Sequence, residues 1–209
     1  MNSRIRIATP DDATAFATIK LQLPMTGKEE PSSRGGFLLG TDLVTYSKYI
    51  ENAFCLVAES DDEVIGFGII LTDKMLRVSD IWERRSHAKW NIHLPDYENK
   101  KLCYLEQFAV LTGHRRLAAS LLYNLVKWVF DNGYDYLFTT TVKEPILNIA
   151  PLPFIDAVAG IKAGNIDEVY PDVGHINSDI YLIESQMFYS QTEAHPLYGF
   201  LKQNTISLI

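Results

Sequence analysis

Between Leu102 and Val142 the chain reads as one unit whose geometry has few solutions. Leu102-Cys103-Tyr104-Leu105-Glu106-Gln107-Phe108-Ala109-Val110 is an apolar, strand-like run, and Thr112-Gly113-His114-Arg115-Arg116 turns the chain. Leu117, Leu121, Leu122, Leu125, Val126 and Val129 then recur at helical spacing on one stripe. Asp131-Asn132-Gly133 stops that helix, and Tyr136 to Val142 is aromatic and β-branched, the composition of a second strand. A strand joined through a helix to another strand predicts two nearly parallel strands.

The flanks extend this pattern. Arg4-Ile5-Arg6-Ile7-Ala8 alternates as a strand, and Thr9-Pro10-Asp11-Asp12 supplies an N-cap, a first-turn proline and two acids for a helix running to about Leu23. Gly27 to Gly40 is a polar loop, after which Thr41-Asp42 caps a short helix carrying Leu43, Tyr46 and Ile50. Phe54 to Ala58 and Val64 to Leu71 are apolar runs joined by the polar stretch Glu59 to Glu63, which predicts an antiparallel hairpin. Met75 to Trp90 reads as an irregular helix and Asn91 to Lys101 as a loop, together an insertion between strands. Downstream, a short helix from Phe154 to Ala163, strands at Ile166 to Tyr170 and Ile176 to Ile183, and a helical tail around Leu197, Phe200 and Leu201 are expected.

Charge limits the partners. The 209 residues carry 19 Lys and Arg against 26 Asp and Glu, so the net −7 disfavours nucleic acid and anionic membranes, and a phosphate-bearing ligand needs a local positive site. Met1 to Arg6 lacks the apolar run of a signal peptide and no stretch approaches 18 apolar residues, so a cytoplasmic location is the expectation. Cys55 and Cys103 sit in apolar runs without a partner at ligand spacing and read as small buried hydrophobes, while the five histidines are scattered and point to no metal.

The common nucleotide-loop, hydrolase-elbow and zinc signatures are missing. What remains is the turn from Val110 to Ser120. A helix N-terminus offers unpaired N–H groups and partial positive charge, and small residues let phosphates approach the backbone. Arg115, Arg116, Ala118, Ala119 and Ser120 meet both demands, although two arginines and two alanines are also what a solvated helix start contains.

With this turn in place, the order of elements resembles the GCN5-related N-acetyltransferase (GNAT) superfamily. Val110 to Ser120 is similar to that superfamily's acyl-CoA pyrophosphate loop, in which Arg or Gln, two residues, Gly, one residue, and Gly or Ala follow in turn. Arg115, Ala118 and Ser120 fall on those positions, with larger residues in place of both glycines. A register shifted by one residue instead aligns Leu121-Leu122 with the usual leucine pair and puts Arg116 at the first glycine. Arg4 to Asp12, the Leu56 to Gly68 hairpin, and Pro145-Ile146-Leu147-Asn148 followed by Phe154 also resemble segments of the superfamily.

The resemblance implies an α/β (α+β) fold. Its central sheet is mixed and mostly antiparallel, with a splayed parallel pair of fourth and fifth strands and helices on both faces. It spans residues 1–184, with an insertion at about 74–101 and a C-terminal extension at 185–209. It further implies acetyl-CoA, or another acyl-CoA, as cofactor. Phe108, Ala109 and Val110 would lie beside its pantetheine, and Arg115, Arg116, Leu117, Ala118, Ala119 and Ser120 would hold its pyrophosphate. Asn148 would bond the pantetheine or cap the following helix, and Glu106 would act as general base toward a primary amine. The acceptor is a small-molecule or peptide amine, and a homodimer fits as well. The usual general-acid tyrosine would fall at Phe154 or Ile155, neither of which carries a proton, which leaves Tyr104, Tyr170 and Tyr181 as distant substitutes. Two alternatives stand beside N-acetyl transfer: a CoA-sensing or partner-binding module without turnover, and a transferase for longer acyl chains. Trp82, Trp90, His93 and the segment from Met187 to Phe200 either wall an acceptor site or pack their own segments down.

Overall fold

Two consecutive aspartates set the first half of the sheet. Asp61 and Asp62 both adopt left-handed backbone angles (φ 51° and 67°), the requirement of a tight two-residue hairpin turn, and aspartate tolerates them better than most residues. They join β2 (Phe54–Ser60) to β3 (Glu63–Leu71). The expected polar connection is therefore only two residues long. Glu59 stays inside β2, almost buried, where Arg4 and Arg6 of β1 (Ser3–Ile7) bind its carboxylate. Arg6 also holds Asp12 through two bonds of 2.7 and 2.8 Å.

The computed structural model describes residues 3–23, 32, 37–170 and 173–206. Most of the Gly27 to Gly40 loop expected from the sequence lies outside them. Among the described residues an eight-stranded sheet runs in the order β1-β2-β3-β5-β6-β8-β7-β4. The remaining strands are β4 (Lys89–Trp90), β5 (Leu102–Val110), β6 (Tyr136–Glu144), β7 (Ile161–Tyr170) and β8 (Gly174–Glu184). All neighbours are antiparallel except β5 and β6, which run parallel. These are the strands expected to be fourth and fifth; the insertion adds the short β4 ahead of them.

Helices cover both faces. On one, α1 (Ala13–Gln22) starts from the capping box of Thr9 and Asp12, and α2 (Leu43–Asn52) starts where Asp42 accepts the Thr45 N–H at 2.8 Å. Phe16 of α1 stacks on Phe67 of β3 with ring centroids 4.0 Å apart, and Tyr46 of α2 meets both rings edge-on. On the other face lies α6 (Arg115–Asp131), whose Leu121, Leu125, Val126 and Val129 are fully buried. Its close approach depends on Gly68, where a Cβ would fall 2.2 Å from Leu125 Cδ1. Helices α8 (Ser185–Ala194) and α9 (Tyr198–Gln203) join α6 on this face, and Cys55 and Cys103 are both buried thiols. No helix among the described residues is long and apolar enough to cross a membrane.

The insertion differs in detail from the expected irregular helix and loop. It forms α3 (Asp73–Arg77) and α4 (Asp80–Arg84), separated where Ser79 caps α4, then the strand β4 paired to β7, then one turn, α5 (Pro95–Glu98), begun by its proline. The helix expected over 154–163 is shorter. It is α7 (Leu152–Ala157), and the chain reverses through Ala159 (φ 52°) and Gly160 because Ile161 is already paired to Leu182 of β8.

Candidate active site

The parallel pairing of β5 with β6 is short. It runs from Leu102–Tyr136 to Leu105–Thr139 and ends there, while β5 continues to Val110 and β6 to Glu144. On its other edge β5 stays bound to β3 along its length, and Leu111 donates to Ile65 O at 2.8 Å. Because backbone groups alternate in direction along an antiparallel strand, those of Phe108 and Val110 point away from β3 and into the gap that β6 has left.

A bulge in β5 places the acid beside that gap. Ile69 pairs with Gln107 but Ile70 pairs with Leu105, so Glu106 is an extra residue with no opposite number. The bulge resets the alternation, and Glu106 and Gln107 both project to the α1/α2 side. There Gln107 accepts from Tyr46 OH at 2.9 Å and donates to Thr41 Oγ1 at 2.7 Å, while Tyr49 OH donates to Glu106 Oε1 at 3.3 Å. Burial pushes the Glu106 carboxyl up to about 7. The Tyr49 bond opposes this, Asp80 and Glu168 reinforce it, and Arg84 opposes it.

A cavity of about 1130 Å³ follows the gap across the sheet. At one end it meets the start of α6. The first α-helical bond there runs from Ala118 N–H to His114 O at 2.9 Å, so the N–H groups of Arg115, Arg116 and Leu117 precede it and have no helical carbonyl to meet. Gly113 (φ 100°) has nothing within 4 Å of where a Cβ would sit, which leaves room at the turn. At the other end the cavity reaches the insertion and β7, where Arg84 is ion-paired to Glu168 and to Asp80 (3.2 Å). Burial works against the Arg84 charge, but these two carboxylates outweigh it and raise its pKa.

Of the residues singled out from the sequence, Glu106, Phe108, Ala109, Val110, Arg115, Ala118, Ala119 and Asn148 border this cavity. Arg116, Leu117 and Ser120 do not, because helical rotation turns them elsewhere. Arg116 lies 5.9 Å over the Phe200 ring, Leu117 packs on the α6 core, and Ser120 is fully buried with its hydroxyl unpartnered among the described residues. Asn148 uses its Oδ1 to accept the Ala150 N–H at 3.2 Å. Phe154 borders the cavity and Ile155 is buried. Among the substitute tyrosines, Tyr104 is buried and bonded to Thr140 Oγ1 at 2.8 Å, Tyr170 borders the cavity and Tyr181 does not. Tyr49, Asp80, Arg84 and Glu168 were missed. The alternation of Ile166, Glu168 and Tyr170 on one face of β7 is the one signal that could have drawn attention to Glu168.

Comparison with known proteins bears on the fold and the family. No curated protein matches the chain. The N-acyl amino acid synthase FeeM from uncultured soil microbes superposes with a TM-score of 0.61 at 17% identity, covering 95% of this chain and 98% of its own. An N-acetyltransferase from Staphylococcus aureus gives 0.58 at 16% identity, with 88% and 99% covered. Arabidopsis thaliana NAA60, solved in complex with acetyl-CoA, gives 0.57 at 14% identity, again with 88% and 99% covered. At these identities the likeness is one of fold. The sequence model of the acetyltransferase (GNAT) family matches residues 28–148, a stretch that includes the split strand, the bulged acid and the opening of α6. With more than half its length matched by that model, the chain belongs to the acetyltransferase (GNAT) family.

Proposed function

We propose that the chain transfers an acyl group, most simply acetyl, from coenzyme A to a primary amine. The observation that carries this reading is the half-buried Glu106, set by the bulge beside the opening between β5 and β6. The residues present fit an acyl-CoA. The free amides opening α6, the Arg115 charge and the small Ala118 and Ala119 suit a diphosphate, and the outward backbone groups of Phe108 and Val110 suit the amides of a pantetheine arm. When bound, acyl-CoA supplies an acyl group activated as a thioester.

The chain's own residues supply the rest. A carboxyl with a pKa near 7 is largely ionised just above neutrality, where Glu106 accepts a proton from the acceptor ammonium and frees the nitrogen lone pair. The amine forms the new C–N bond, the C–S bond breaks and its electron pair leaves on the thiolate, and the second amine proton passes to solvent water. A backbone N–H near Val110 stabilises the oxygen on which charge develops. Phe154 at the cavity wall has no proton to give, so the thiolate leaves without a donor there. That same feature favours the second reading, a CoA-binding module without turnover.

Calorimetric titration with acetyl-CoA, run together with a turnover assay across an amine panel, tests both. Binding with turnover supports the enzyme, binding without turnover on any amine supports the module, and no heat at millimolar acetyl-CoA removes both.

A further inference from the structure

We infer that the part of the cavity beneath the insertion receives the hydrocarbon chain of a medium-length or longer acyl thioester. This rests on reading the cavity as an acyl-CoA site. Five elements each lend an apolar side chain to its wall: Leu76 from α3, Trp90 from β4, Phe138 from β6, Ile166 from β7 and Ile180 from β8. Leu76, Phe138, Ile166 and Ile180 are all less than 9% exposed, which makes this an interior surface.

Two polar groups of this wall are already committed. Trp90 Nε1 donates to Arg85 O at 2.9 Å, and Tyr104 OH is bonded to Thr140 Oγ1 at 2.8 Å. A ligand group that needs hydrogen bonds gains nothing there, whereas a methylene chain leaves water at no polar cost. The charged groups at that end of the cavity are paired with one another: Arg84 binds Glu168, whose side chain is only 11% exposed, and Asp80, whose side chain is 78% exposed and reaches solvent. A charged amine finds its partners on that side. The carbon chain, continuing past the gap between β5 and β6, meets these five apolar side chains. The total volume, about 1130 Å³, is also above the range of roughly 300–1,000 Å³ usual for small-molecule sites.

The test is a set of calorimetric titrations with acetyl-CoA, hexanoyl-CoA and decanoyl-CoA, repeated on Ala88→Trp and Ile166→Phe, since Ala88, just before β4, also lines the chamber and either change narrows it. Each buried methylene is worth up to about fourfold in affinity, so decanoyl-CoA is expected to bind at least tenfold more tightly than acetyl-CoA. In whichever variant remains folded by circular dichroism, that advantage is expected to shrink several-fold. Equal affinity for all three thioesters in the unaltered protein overturns the inference and leaves the acyl-CoA reading standing. So does turnover that rises from ethylamine to octylamine but not with acyl length, because the chamber then belongs to the acceptor. If no thioester binds, the underlying reading fails and the inference with it.

Discussion

The hydroxyl of Tyr49, on α2, reaches Oε1 of Glu106, on β5, at 3.3 Å, so a helix and a strand 57 residues apart share one proton-bearing contact at the cavity wall. The bond favours the ionised carboxylate, while burial favours the acid. If Glu106 is the base, kcat/KM rises with pH through about 7 and levels off above it. Tyr49→Phe removes a bond to the charged form, so the rising limb moves to higher pH while the plateau changes little. An unaltered limb in pH–rate profiles of Tyr49→Phe would count against the pairing.

Glu106→Gln keeps the shape of the side chain and removes the base. Turnover is expected to fall about 10²–10⁴-fold while the Kd for acetyl-CoA stays within about twofold. Retained turnover would show that the proton goes elsewhere.

Arg115→Glu reverses the arginine charge that borders the cavity at the opening of α6, and Ala118→Leu puts bulk where Ala118 now lines it. Each is expected to weaken acetyl-CoA binding about tenfold or more, and added salt should narrow the difference between Arg115→Glu and the parent. Arg116→Ala, whose guanidinium faces Phe200, should change affinity much less. Equal losses for Arg115 and Arg116 would argue for the shifted register of the phosphate turn.

Far from the cavity, Arg6 ties β1 to β2 and to the first helical turn. Burial pushes Asp12 and Glu59 upward, but bonds from Arg6 to Asp12, and from Arg4 and Arg6 to Glu59, hold both carboxyls below their usual values. A lowered folded-state value means this stability is present above the unfolded values of 3.8 and 4.5 and disappears as pH falls below them. Arg6→Ala leaves two nearly buried carboxylates short of a partner and is expected to cost about 3 kcal/mol in urea denaturation at pH 7. A loss below about 0.5 kcal/mol, the scale of exposed pairs, would refute this.

Gly164 of β7 admits β4. A Cβ there would sit 2.5 Å from the Lys89 carbonyl oxygen, a backbone atom that cannot swing aside. Gly164→Ala is expected to destabilise the protein by about 1–3 kcal/mol and to speed amide exchange at Trp90 and Asn91 before the rest of the sheet. Exchange that is uniform across the sheet would contradict it.

The strand–helix–strand unit and the hairpin were legible because residues 54–71 and 102–142 carry strong local periodicity and turn residues suited to their jobs. The bulge was not. Nothing in Leu105-Glu106-Gln107 marks a two-against-one pairing, since the register is set by β3 on the opposite strand. Nor could spacing show that Ser120 faces the core or that Phe200 attracts Arg116. The second depends on α9 returning to α6, with Phe200 and Arg116 84 positions apart in the chain. Tyr49 on α2, the Asp80 and Arg84 pair on α4 and Glu168 on β7 come from three separate elements that meet only in three dimensions, so each looked like an ordinary surface residue.

Among the described residues, four backbone pairs join the two halves of the sheet. Past that seam the donors and acceptors facing the slot belong to the main chain, which no point substitution removes short of proline. Substitutions along the slot can therefore change the side chains that line it while these main-chain groups stay where they are.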